Sequence, residues 1–110
     1  MELDADILNR SAVEYSNFTP DRDQKLIVTN AIRKLMLKAP ARSKASLEVS
    51  AVGGFYSSTL TVQSITGTFD SSVVGETLRE SLDLLYQDIL AKFNIWKSTR
   101  FSSQEGIQAS

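Results

Sequence analysis

Leu78, Leu82, Leu85, Ile89, Phe93 and Trp96 recur at steps of three and four along ETLRESLDLLYQDILAKFNIW. On a helical period they share roughly 60 to 80 degrees of arc, a core-facing stripe, and the spacing predicts a helix over 76–96. A second apolar face comes earlier, with Val28, Ala31, Ile32, Leu35 and Ala39 at helical spacing. It follows a start signal, FTPDRDQ, in which Thr19 reads as N-cap, Pro20 as the first helical residue, and Asp21 and Asp23 as first-turn acids. Pro40 ends this helix. Leu26 and Leu37 fall on its far side and are expected to pack against the N-terminal segment.

Elsewhere the period is two. In LDADIL, Leu3, Ala5 and Ile7 alternate with Asp4 and Asp6, which predicts an edge strand over 3–8 whose outward carboxylates discourage pairing with a second molecule. Residues 9–18 show no clear period. In ASLEVSAV, Leu47, Val49 and Ala51 alternate with polar residues, and Gly53 and Gly54 then supply a turn. Tyr56, Leu60 and Val62 oppose Thr59, Thr61 and Gln63 in the next run, and Ile65, Thr66 and Gly67 turn the chain into TFDSSVV. Successive hairpins with links this short make an antiparallel meander. The predicted fold is α+β, a two-layer sandwich in βαβββα order, with a four-stranded, mainly antiparallel sheet and two helices packed on one face. Residues 1–100 form the expected single domain, and the polar stretch 101–110 a disordered tail.

Composition narrows the chemistry. At 110 residues and 42% hydrophobic the chain supports one modest core. Cysteine and histidine are both absent, which removes disulfides, the usual zinc sites, and Ser/His/Asp and Cys/His nucleophilic systems. Glu76, Glu80 and Asp83 lie on the exposed flank of the second helix, where carboxylates serve solubility. Asp4 and Asp6 have no calcium-loop spacing around them. The glycines match no phosphate-cradling pattern. The chain reads as a non-enzymatic, cytoplasmic protein with no cofactor, metal, membrane or small-molecule substrate.

Charge is unevenly spread. The net charge is −1, yet seven of the twelve basic residues, Arg22, Lys25, Arg33, Lys34, Lys38, Arg42 and Lys44, fall in one stretch with a single acid, Asp23. Asp70, Glu76, Glu80, Asp83 and Asp88 then face only Arg79. Such a dipolar surface offers phosphate a basic sector. The plainer reading is a lysine-rich solvent face whose cations complement the helix carbonyl end. Phe69, Phe93 and Trp96 fall on core faces, and only one of Phe55 and Tyr56 points inward. Leu84 and Ile95, with Ala91 between them, lie off the main stripe of the second helix. They read either as a partner-binding surface, for a second copy or another protein, or as a broad core face.

The passage YSSTLTVQSITGTFDSSVVGETLRESLDLLYQDILAKFNIWK resembles the ribosome hibernation-promoting factor and ribosome-associated inhibitor family. The likeness lies in an alternating strand with Leu60 and Val62, a turn at Gly67, an aromatic-led strand at Phe69, and an acidic helix start at Glu76 and Thr77. A long helix then carries Leu82, Asp83, Ile89 and Phe93 to Lys97. What the resemblance implies is a βαβββα domain that binds the small ribosomal subunit where messenger and transfer RNA would sit, and inhibits translation by occupancy. The implied RNA-binding residues are Arg33, Lys34, Lys38, Arg42 and Lys44, with Lys92, Lys97 and Arg100 from the second helix, all as phosphate neutralisers. Double-stranded RNA-binding domains share the order helix, three strands, helix, but the Lys-rich start of their second helix is here GETLRE. The alternative is a protein-interaction or regulatory module of the same fold that does not bind RNA.

Overall fold

A computed structural model describes the backbone of residues 10–109 and the side chains of residues 10–98. The order is β1 (Ser11–Ser16), α1 (Arg22–Met36), β2 (Lys44–Val52), β3 (Phe55–Ser64), β4 (Gly67–Gly75) and α2 (Leu78–Ala109). The sheet runs β1-β2-β3-β4, with β1 parallel to β2 and the rest antiparallel. Parallel neighbours need a crossover, and α1 supplies it.

The predicted strand at 3–8 lies outside the described residues. The first described strand is instead β1, in the segment 9–18 that shows no clear period. Its alternation is weak because Ser11 takes an inward position beside Val13 and Tyr15, while Ala12 and Glu14 face out. The start of α1 also differs. Asp21, not Thr19, is the N-cap: its carboxylate accepts from Gln24 N at 2.8 Å, and Gln24 Oε1 accepts from Asp21 N at 2.9 Å. This capping box satisfies two otherwise orphaned donors, while Pro20 biases Thr19 toward extended backbone. The helix ends at Met36, and two tighter turns, Lys38 N to Leu35 O and Ala39 N to Met36 O, carry the chain to Pro40. Leu26 and Leu37, expected to pack against the N-terminal segment, are both more than half exposed, and residues 1–9 lie outside the described residues.

The apolar faces meet as their periodicity predicts. Val28, Ile32 and Leu35 from α1, Leu47, Val49, Leu60 and Val62 from the sheet, and Leu82, Leu85, Ile89 and Phe93 from α2 make one core. Tyr56 points inward and Phe55 outward. Gly53 and Gly54 hold positive φ, 57° and 85°, which suits a two-residue hairpin. At the start of α2, a Cβ on Gly75 would stand 2.5 Å from Ser81 N, and Ser81 shares a buried 2.6 Å hydroxyl contact with Ser58. The helix continues to Ala109, through residues where polar composition predicts a tail. Its 32 residues extend about 48 Å, against about 33 Å for the ten residues of β3, so the helix outruns the sheet.

Candidate nucleic-acid interface

Both helices run the same way across the sheet. α1 starts after the end of β1 and finishes before the start of β2. α2 starts beside Gly75 at the end of β4, then passes Ser71 at Asp88, Asp70 at Lys92, and Phe69 at Phe93 and Trp96. Lys44 pairs with Gln63, and Gln63 with Thr68. The starts of β1, β2 and β4 therefore share one end with the finish of α1 and with the turns of α2 around Phe93 and Trp96, beyond which α2 runs on to Ala109. Acids collect at the opposite end, with Asp21 and Asp23 at the start of α1 and Glu76 and Glu80 at the start of α2.

The finishing end gathers Lys38, Arg42 and Lys44, all exposed. Among the described residues these three and Lys97 form no ion pair. Arg42 stands at φ 61°, in the left-handed region, in a loop closed by buried Ser43, whose hydroxyl donates to Pro40 O at 2.6 Å. Arg10 joins this end, although its sequence position gives no hint of it. Its carbonyl accepts from Ala45 N at 2.9 Å and its guanidinium donates to Ser43 O at 3.2 Å. Arg10 and Lys44 flank a shallow hollow of about 270 Å³. Only the parallel pairing of β1 with β2 brings Arg10 beside residues more than thirty positions away.

A groove between the helices leads to the same end. Lys34 Nζ lies 4.3 Å from the Tyr86 ring centroid, bridging α1 to α2. Lys38 follows Lys34 by one turn of chain, and Lys97, eleven residues beyond Tyr86, falls on the same side of α2. Near the helix starts the groove has a volume of about 520 Å³ and is mixed in sign, with Asp23, Lys34, Arg79 and Asp83 along it.

The remaining expected residues stand apart. Arg33 is half-buried, about 100 degrees round α1 from Lys34, and donates to Asn30 Oδ1 at 2.8 Å. Lys92 lies on the other flank of α2, where it pairs with Asp88 at 3.3 Å and donates to the main-chain carbonyl of Asp70. The Ser71 hydroxyl, and then Lys92, hold the Asp88 carboxyl below its ordinary value against a smaller opposing effect of desolvation. Lys92 thus caps the β4 edge and its charge is locally offset. Arg100 lies on α2 beyond the described side chains. Leu84 and Ile95 are 38% and 64% exposed, which overturns the broad-core-face reading and leaves an apolar flank. Among the described residues no group of three His, Cys, Asp or Glu could hold a metal ion, and no helix is long and apolar enough to cross a membrane.

The architecture defines a class, the small βαβββα two-layer sandwich with one parallel strand pair leading into a meander. Solved structures share it. A ribosomal subunit interface protein from Coxiella burnetii matches with a TM-score of 0.68 at 12% identity, over 80% of this chain and 97% of its own. The N-terminal domain of Thermus thermophilus Protein Y matches with a TM-score of 0.65 at 12% identity, over 76% of this chain and 94% of its own. At this identity the likeness is one of fold. No protein-family model and no curated protein sequence matches the chain.

Proposed function

We propose that this protein is a non-catalytic, ribosome-associated factor of the hibernation type, which docks its basic end on ribosomal RNA of the small subunit and inhibits translation by occupancy. One observation carries the reading: the pairing of β1 with β2 brings Arg10 to the stretch that holds Lys38, Arg42 and Lys44, so that four cations stand at one end of a fold shared with a ribosomal subunit interface protein. The exposed cations Lys38, Arg42 and Lys44 attract phosphate even on a weakly acidic molecule, because a local basic field acts within a Debye length. Lys34 and Lys97 extend this surface along the inter-helix groove. Lys92 and Arg33 are assigned structural roles, and the RNA surface shifts from the middle of the helices toward their ends.

Co-sedimentation with small ribosomal subunits at low and moderate salt tests the proposal. Wild-type protein is expected to pellet with subunits and to release as salt rises. The variant Lys38→Glu, Arg42→Glu, Lys44→Glu keeps its fold and loses binding, whereas Arg33→Glu changes it little. Each phosphate contact removed lowers the salt slope by about one. Absence of binding at low salt, or binding that survives the triple reversal, would sink the reading.

A further inference from the structure

The flank of α2 away from α1 carries Leu84, Asp88, Ala91 and Ile95, spaced four, three and four residues apart. That spacing is the same read from either end, so an antiparallel copy of the helix sets Leu84 against Ile95 at both ends and Asp88 against Ala91 between them. Beside this stripe, α2 and the edge strand β4 enclose an open groove of about 610 Å³ lined by Val73, Val74, Leu84, Gln87, Asp88 and Ala91. Ile95, at 64% the more exposed of the two apolar side chains, lies just beyond the groove on the same flank. We propose that two copies of this chain pair through this flank, with α2 antiparallel to α2 and Ile95 of each copy seated in the other's groove beside Leu84.

Three features favour a second copy over another occupant. The apolar positions are complementary to themselves under a twofold rotation, as an isologous interface requires. The same register sets Lys92 of one copy opposite Gln87 of the other and within a turn of its Asp88, so no like charges stand directly opposite one another. Ala91 near the centre lets the helices approach within the 8–10 Å of ordinary helix packing. Pairing through the β4 edge is the competing geometry, but Lys92 already occupies the Asp70 carbonyl there. The contact spans about three helical turns and falls below the roughly 1,200 Å² typical of stable complexes, so the dimer is weak and concentration-dependent. This inference is independent of ribosome binding.

Sedimentation velocity of the full chain across a micromolar concentration series, at two salt concentrations, tests it. The wild type is expected to shift from monomer to dimer with little salt dependence. Leu84→Lys and Ile95→Glu, both at exposed positions and checked for fold by circular dichroism, each weaken the dimer at least tenfold. The double variant L84K/I95E restores it, because each introduced lysine meets the introduced glutamate of the second copy. Within one chain these positions are about 16 Å apart and cannot pair. Ala91→Arg, which blocks helix approach at the centre, gives the monomer by a different route. A wild type that stays monomeric throughout, a dimer indifferent to these substitutions, or a double variant no stronger than the singles would overturn the proposal.

Discussion

The two ends of the sandwich use their polar groups in opposite ways. Where the helices start, polar and small residues are consumed by the fold. Asp21 and Gln24 cap α1, Ser58 and Ser81 bond in the interior, and Gly75 lets α2 lie directly on β4. Tyr15, Phe18 and Tyr56 close that end edge to face, at centroid separations of 5.7 and 5.4 Å. Where α1 finishes and α2 passes the start of β4, Lys38, Arg42, Lys44 and Lys97 are exposed and form no ion pair among the described residues. The amide ends of both helices and the carbonyl end of α1 account for part of this polarity, since acids suit amide ends and cations suit carbonyl ends. They do not account for Arg42 and Lys44, which lie outside either helix, nor for a left-handed arginine where glycine would be relaxed. The start is organised for stability, and the finish keeps charge available at some cost to it.

The largest effect is expected at the start. Gly75→Ala forces backbone to shift, because its Cβ would meet Ser81 main-chain atoms and not a flexible tip. A loss of about 2–3 kcal/mol in urea unfolding is expected, and a neutral result would show that the close approach is not required. At the finish the sign reverses. Arg42→Gly relieves a positive φ and is expected to raise stability by about 0.5–1 kcal/mol, while lowering the salt slope of RNA binding by about one. A destabilised variant, or one that binds unchanged, would remove the contrast between the ends.

The smallest effect belongs to Asp88, between the two. The hydrogen bond from Ser71, aided by Lys92, lowers its pKa in the folded state. The unfolded chain therefore takes up the proton first as pH falls. The stabilisation is full above the ordinary aspartate pKa of about 3.9 and is lost as pH falls through the lowered folded value. Comparing acid unfolding of wild type with Asp88→Asn should show a slightly shallower pH dependence in the variant. Identical slopes would mean that the network contributes nothing to folding.

Element type and inward faces were legible wherever a segment buries one face continuously. Leu78 to Phe93 and the alternation through Leu47, Val49, Leu60 and Val62 are written in period, and the core follows them. β1 was not legible, because six residues with a serine at an inward position carry little alternation, and its place in the sheet comes from pairing with β2. The cap of α1 shifted by two residues because competing N-cap candidates are decided by which side chain reaches an amide, and Asp21 does. Lys92 read as one more cation on a helix until its carboxylate and carbonyl partners came into view.

By itself the sequence determined the order of elements from α1 onward, the two apolar faces, the glycine turns, and the absence of histidine and cysteine chemistry, since these depend on local spacing and residue type. Tertiary structure alone decided that Arg10 joins Lys38, Arg42 and Lys44, that Arg33 and Lys92 stand apart from them, and that Leu84 and Ile95 are left uncovered. Distances between charges and exposure of a flank are set by how helices and strands dock, and residues far apart in sequence have no periodicity that records it.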